Sequence, residues 1–211
     1  IGFGTVNGTD GKPFKTREGG VLRLSDLNRM ALEEAEKKIG ETGLSGDIGD
    51  EERGKIAMLV ARAALRFADL QNVRTTNYVF DLERFTSFEG KTGPYMLYAA
   101  VRIKSLLRRA REAGHEPGPV AIERDTERAL VLAMDGFANA LAQSHAKRQP
   151  HILCEHVYTL AQAFSALYAD APIANEADAA VRASRLGLCE AVLKQLETGL
   201  GILGIEAPDR M

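Results

Sequence analysis

The sequence has few cysteines and no long apolar run, and each absence excludes a class of protein. Two cysteines, Cys154 and Cys189, in 211 residues cannot form the disulfide framework of a secreted domain, and they fit a reducing cytosol. No apolar run approaches the roughly 18–20 residues of a membrane span. The first residues also lack the charged start and apolar core of a signal peptide. We therefore expect a cytoplasmic protein that does not enter a membrane.

Two common site signatures are also missing. No GxxxxGK[ST] run is present, so the chain has no P-loop. His151, Cys154 and His156 are metal-ligand types, but on a helix His156 lies away from the face that the other two share. No second cluster completes a tetrahedral zinc site. We therefore expect no metal site and predict that Cys154 is a small core residue.

Charge is nearly balanced over the chain but is unevenly distributed. The net charge is −2, which argues against a protein whose whole surface is basic and binds nucleic acid non-specifically. Between positions 91 and 113, however, six basic residues accompany one acid, Glu112. The basic residues are Lys91, Arg102, Lys104, Arg108, Arg109 and Arg111. One basic helix in a near-neutral protein indicates a specific docking face.

Apart from its start, the chain is predicted to be helical. Residues 1–24 are rich in glycine and are typical of a loop, so we expect the chain to be a piece of a longer protein. Apolar spacing predicts helices near 26–39, 55–69, 93–113, 121–145, 150–170 and 178–202. Four long helices after residue 92 predict an antiparallel bundle. The sequence thus indicates an all-α fold with little strand, divided into 1–92 and 93–211.

A basic loop precedes the first predicted helix. Lys12, Lys15 and Arg17 lie within six residues, and glycines flank them on both sides. Such a loop can surround a polyphosphate, because glycines let backbone N–H groups approach the oxygens while the cations neutralise charge. The alternative is a solvated basic turn, and composition alone does not exclude it.

A second set of candidate residues lies on the helix that begins at Gly93. At about 100° per residue, Tyr95, Tyr98, Arg102 and Arg109 share one narrow arc, while an apolar stripe lies elsewhere on the helix. Single-stranded RNA is bound by aromatic rings, on which its unpaired bases stack, and by nearby cations that contact its phosphates. Alternatively, the tyrosines are half-buried packing and the arginines a solvated face. The pattern leaves both interpretations open.

Three segments, in order, carry a resemblance that covers nearly the whole chain. They are GKPFKTREGG followed by LSDL, then FDLERFTSFEGKTGPYMLYA, and finally the terminal GIEAPDRM. Together they resemble the arginyl-tRNA synthetases of the bacterial type. The resemblance implies a class I enzyme that activates arginine with ATP and magnesium and passes it to arginine tRNA.

The resemblance also implies an organisation. Residues 1–92 would end the catalytic domain, and 93–211 would form the anticodon-binding helical bundle named after a D-A-L-R motif. The HIGH-type motif of the catalytic domain would precede residue 1, so the isolated chain is expected to be inactive. The family is mostly monomeric, which implies a monomer here.

Site residues follow from the resemblance by position. Lys12, Lys15 and Thr16 match the KMSKS-type signature loop, and with the adjacent Arg17 they would handle the ATP phosphates; Pro13 and Phe14 depart from that pattern. The family's anticodon residues match Tyr95, Tyr98, Arg102, Tyr168 and Met211, and Arg109 shares the arc of the first three.

Two alternatives remain at this point. One is another synthetase with the same helical domain, such as cysteinyl-tRNA synthetase, against which the tyrosine-rich helix and the Arg-Met end argue. The other is a non-catalytic helical RNA-binding protein. The basic loop of residues 12–17 argues against it, because a bundle has no use for a phosphate loop at its edge.

Overall fold

A computed structural model describes residues 2–13, 23–42 and 48–211. The secondary-structure elements in these residues are β1 (Val6–Asn7), α1 (Leu24–Thr42), α2 (Asp50–Leu70), β2 (Tyr78–Val79), α3 (Leu82–Phe85), α4 (Gly93–Glu112), α5 (Asp125–Asp135), α6 (Phe137–Lys147), α7 (His151–Asp170) and α8 (Ala179–Ile202). The prediction of a mostly helical chain with little strand is confirmed. Residues 93–211, all of which are described, contain no strand.

The first part of the structure is a helix pair beside a short parallel strand pair. β1 and β2 are two residues each, with Val6 opposite Tyr78. Both helices exceed their predicted bounds. α1 continues through Gly40, beyond its predicted end at 39, and α2 begins at Asp50, before its predicted start at 55. Three acidic residues in the first turn of α2 favour this start, because they face the positive end of the helix dipole.

The beginning of α4 is determined by local sequence and by close packing. The Thr92 hydroxyl accepts a hydrogen bond from the Tyr95 amide at 3.2 Å, and Pro94 occupies the first turn. Gly93 faces α2 so closely that an added Cβ would lie 2.1 Å from the Ala63 carbonyl oxygen. Only glycine permits this approach, which joins α4 to the helix pair.

From Gly93 onward, the helices form an up-and-down bundle. α4 and α7 run parallel, since Lys91 just before α4 contacts Glu155 in the first turns of α7 and Arg102 contacts Tyr168 in its last turn. α8 runs antiparallel to α4, with Arg111 against Glu190 and Lys104 against Glu197. The predicted bundle is therefore present.

One predicted helix of this bundle is wrong in its bounds. Where one helix was predicted over 121–145, two helices, α5 and α6, meet at Gly136, so the bundle has five helices rather than four. Residues 121–124 are not helical, because Ala121 is tied to α8 through its amide and carbonyl, both bonded to the Ser184 hydroxyl at 2.9 Å. A period of 3.6 residues does not reveal either constraint.

A single main core runs through both halves of the chain. It includes Ala31 and Val60 from the helix pair as well as Leu97 and Leu160 from the bundle, all fully buried. Cys154 also lies in this core, as predicted, and is free. In the part of the chain that the structure describes, none of the helices combines the length and apolar character that crossing a membrane demands. The division at residue 92 stays a prediction.

Candidate nucleic-acid interface

Three of the predicted site residues meet where α4 and α7 run side by side. The guanidinium carbon of Arg102 lies 4.4 Å from the ring centroid of Tyr98 and 5.0 Å from that of Tyr168. Arg102 also donates a hydrogen bond to the Tyr98 hydroxyl at 2.7 Å. This arrangement is a cation–π contact to two rings at once. We call these three residues the Tyr-Arg-Tyr group.

The two helices determine this geometry. Tyr98 and Arg102 are one turn apart on α4, where side chains separated by four residues are neighbours. Tyr168 comes from the last turn of α7, and its ring packs on the fully buried Phe164 at 5.9 Å. Tyr168 is nevertheless 38% exposed, so the Tyr-Arg-Tyr group opens to solvent.

Tyr95 shares the predicted arc but has different partners. Its ring packs edge-on against Tyr158 at 5.9 Å, and its hydroxyl lies 3.2 Å from that of Ser165. Tyr95 also packs against the main core. Tyr95, Tyr98 and Arg102 are only partly exposed, so the arc does not face solvent freely at these three positions. The reason is that α7 covers part of the arc.

Tyr95 is therefore expected to contribute to stability. Replacing Tyr95 with alanine removes an aromatic pair and half-buried apolar area, and we expect it to lower the free energy of unfolding by roughly 2–3 kcal/mol. Arg109→Ala, at an exposed position of the same arc, should change it by less than about 0.5 kcal/mol. Urea unfolding of both variants measures this. Equal stability of the two would show that α7 does not hold Tyr95.

The structure separates the basic residues of this region into two kinds. Four of them have acidic partners: Lys91 with Glu155, Lys104 with Glu197 and Asp209, Arg108 with Glu112, and Arg111 with Glu190. For Arg102 and Arg109, the described residues provide no carboxylate within ion-pair distance. These two are the arginines of the predicted arc. Fewer basic residues are therefore available to an anionic ligand than the sequence indicates.

The chain end is held beside α4 and α2. Lys104 donates hydrogen bonds to the Ala207 carbonyl and the Asp209 carboxylate, both at 3.1 Å. Arg210 binds both carboxylate oxygens of Glu52. Met211 follows directly and is half-buried against the main core. Its predicted approach to RNA stays a prediction.

Only part of the basic loop is described. Residues 7–13 form a tight reversal, with an isolated bridge between Asn7 and Pro13 and with Gly11 at a φ of 76°. Lys12 is exposed in this reversal, and its amide donates to the Asp10 carboxylate at 3.1 Å. Lys15, Thr16 and Arg17 lie outside the described residues. Their predicted role stays a prediction.

The structure adds residues that sequence reasoning missed. Tyr158 and Ser165 contact Tyr95, and nothing in the spacing of α7 distinguishes them from ordinary surface residues. Arg185 is only 2% exposed and pairs with the equally buried Glu127 at 2.7 Å. Glu127 stands near the start of α5, where a glutamate is a known capping signal, but no sequence pattern predicted its partner on α8.

Metal-ligand residue types do not gather in the described part of the chain. No group of three or more His, Cys, Asp or Glu side chains there could hold an ion. His151 and His156 both lie on α7, and the His156 ring packs on Phe137 at 5.4 Å. Burial lowers the pKa of His156, although a hydrogen bond to Gln195 opposes this.

Comparison with known families identifies the class to which this helical bundle belongs. The model of the DALR anticodon binding domain matches residues 96–211, which is more than half of the chain. The chain therefore belongs to the DALR anticodon-binding family. A second model, for the catalytic domain of class I tRNA synthetases (R), matches residues 1–82.

Two curated relatives and one solved structure show the similarity of this chain to arginine–tRNA ligases. The chain is 67% identical, over its whole length, to an arginine–tRNA ligase of Hyphomonas neptunium and covers 36% of it. It is 58% identical to that of Maricaulis maris, again over its whole length and 36% of the relative. The arginyl-tRNA synthetase structure of Thermus thermophilus matches with a TM-score of 0.85 and 29% identity, over 99% of this chain and 35% of that one. The resemblance is confirmed, and the chain spans about a third of these relatives.

Proposed function

We propose that this chain is the C-terminal part of an arginine–tRNA ligase. In this proposal, residues 93–211 bind the anticodon loop of arginine tRNA, and residues 1–92 end a catalytic domain that uses ATP and Mg²⁺ to activate arginine. The support is that every relative named above is an arginine-specific enzyme and that the first segment matches a class I catalytic domain. The parent protein would be a cytoplasmic monomer.

The Tyr-Arg-Tyr group is the observation that carries the tRNA-binding proposal. Two rings at a partly exposed surface offer faces on which unpaired bases stack, and stacking accepts any base. Arg102 lies between them with no carboxylate partner among the described residues, so its charge is available to a phosphate. Arg109, two turns further along α4, can extend the contact to a second phosphate.

The basic loop would act in the activation of arginine by ATP. Lys12, Lys15, Thr16 and Arg17 would contact the ATP phosphates and neutralise the charge that develops as pyrophosphate leaves. The exposed position of Lys12 on a tight reversal is compatible with this role. A magnesium ion would share the same task, and arginine would be bound by residues outside this chain.

The two alternatives are less well supported. A cysteinyl-tRNA synthetase would share the helical domain, but the class I model that matches residues 1–82 is the arginine one. A non-catalytic RNA-binding protein would not need a catalytic-domain segment at all. Binding to arginine tRNA and to cysteine tRNA, measured side by side, distinguishes these proposals.

The tRNA-binding proposal is tested by truncating the Tyr-Arg-Tyr group in the full-length ligase. We expect Tyr98→Ala and Tyr168→Ala each to weaken binding of arginine tRNA by roughly 1–3 kcal/mol, because each removes one stacking face. Arg102→Ala should weaken binding and reduce the slope of log Kd against log salt by about one phosphate contact. Filter binding at several salt concentrations measures both quantities.

Arg111→Ala is the matched control, because Arg111 lies on the same helix and is already paired with Glu190. It should leave both affinity and salt slope nearly unchanged. Thermal melts of all variants must accompany the binding data. If the tyrosine variants melt earlier but bind arginine tRNA as well as the parent, these residues are packing residues and the proposal fails.

A further inference from the structure

We propose that the buried network of Arg185, Glu127 and Glu176 is a positioning device for the tRNA-binding face, holding the end of α7 so that Tyr168 stays against Arg102. This inference rests on the proposed function. Arg185 and Glu127 are each only 2% exposed, so neither residue can itself contact RNA. The effect of the network on binding must pass through other side chains.

From its place on α8, Arg185 makes three hydrogen bonds that reach two other segments of the chain. Its Nε donates to Glu127 on α5 at 2.7 Å. One terminal nitrogen donates to the Pro172 carbonyl at 2.8 Å and to the Glu176 carboxylate at 2.6 Å. Pro172 and Glu176 belong to the turn that follows α7. One guanidinium therefore holds both the start of α5 and the segment directly after Tyr168.

The start of α5 in turn holds the end of α7. The second carboxylate oxygen of Glu127 accepts hydrogen bonds from the amides of Glu123 and Arg124, at 2.7 and 3.1 Å, which secures the first turn of α5. From that turn, the Thr126 hydroxyl donates to the Asp170 carboxylate at 2.8 Å. Asp170 is the last residue of α7, two positions after Tyr168.

Contacts from neighbouring elements add to the stability of the end of α7. The helix stops at Asp170 with Ala171 in an extended conformation, and its last turn carries no basic residue to bind the free carbonyls. Helix ends without these partners fray. Tyr168 lies in that last turn, so fraying would move its ring away from Arg102. Thr126 opposes this movement at Asp170 itself, and Arg185 opposes it in the turn that follows.

A lysine could not replace the arginine. Its ammonium is a single point charge, whereas the guanidinium presents a planar fork that reaches several acceptors in fixed directions. Lysine at position 185 would retain charge for Glu127 but would lose at least one of the contacts to Pro172 and Glu176. The substitution Arg185→Lys therefore loosens the turn after α7 while keeping the buried carboxylate paired.

The test is a pair of double-mutant cycles for arginine tRNA binding by the full-length ligase. Arg185→Lys and Thr126→Val are each made alone and in a Tyr168→Ala background. We expect Arg185→Lys to raise the Kd about tenfold and Thr126→Val about threefold in the parent, the scale of one lost hydrogen bond in each case. Both effects should disappear in the Tyr168→Ala background, because the network acts through that ring.

Thr198→Val is the control for Thr126→Val, since Thr198 also bonds through its hydroxyl, to the Lys194 carbonyl on α8. It should leave the Kd unchanged in both backgrounds. If these two substitutions change the Kd equally with and without Tyr168, the network contributes only to general stability and the inference is wrong. If Arg185→Lys does not fold, the Thr126→Val cycle decides. If Tyr168→Ala itself leaves the Kd unchanged, the proposed role of Tyr168 fails, and the inference fails with it.

Discussion

Neutralising Lys12, Lys15 and Arg17 together in the full-length ligase is expected to slow arginine activation by about 10²–10³-fold while affinity for arginine tRNA changes little. The physical reason is that charge develops on the departing pyrophosphate, so groups that stabilise it act on the transition state rather than on tRNA binding. The triple variant with glutamine at these positions removes the charge and keeps a polar side chain at each, although each is shorter. ATP–pyrophosphate exchange in the presence of tRNA measures the rate.

Lys147→Gln is the matched control, because Lys147 is an exposed lysine on α6 whose ammonium bonds only to Gln143 among the described residues. It should leave the exchange rate unchanged. An equal rate in the triple variant and the parent would mean that the basic loop does not reach the phosphates. The catalytic assignment of residues 12–17 would then be wrong, whereas the tRNA-binding face would be unaffected.

Replacing Arg185 with methionine is expected to lower the free energy of unfolding by about 3–5 kcal/mol, because it leaves the buried carboxylate of Glu127 without its counter-ion. Burial alone would raise the pKa of Glu127, but hydrogen bonds from Arg185 and from two backbone amides outweigh it and hold the pKa below its ordinary value. Glu127 is thus charged in the native fold at neutral pH, and its charge requires the counter-ion. Urea unfolding at neutral pH measures the loss.

Arg111→Met provides the comparison, since the pair of Arg111 and Glu190 is about half exposed and should contribute no more than about 1 kcal/mol. Adding Glu127→Gln to Arg185→Met should recover part of the lost stability, because a neutral amide costs less to bury than an unpaired carboxylate. A loss at Arg185 no greater than that at Arg111 would contradict a buried ion pair of this kind.

Much of the candidate site could be predicted because it depends on one helix. Tyr98 and Arg102 are four residues apart, so the helical period alone places them side by side, and the structure confirms their contact. The bundle follows from the same period. The break at Gly136 was not predicted, because the residues on both sides keep helical spacing and a single glycine inside a helical pattern is tolerated in many helices.

The sequence by itself determined a helical chain, the arc of α4, and a resemblance that assigned its family. Only the tertiary structure decided which residues of that arc remain available. α7 packs against Tyr95 and brings Tyr168 to Arg102, while acidic residues on α7, on α8 and in the chain end neutralise Lys91, Arg111 and Lys104. The physical reason is that helical periodicity depends on neighbours along the chain. Ion pairs and ring contacts between helices depend instead on residues some 60 to 105 positions apart, which no local pattern specifies.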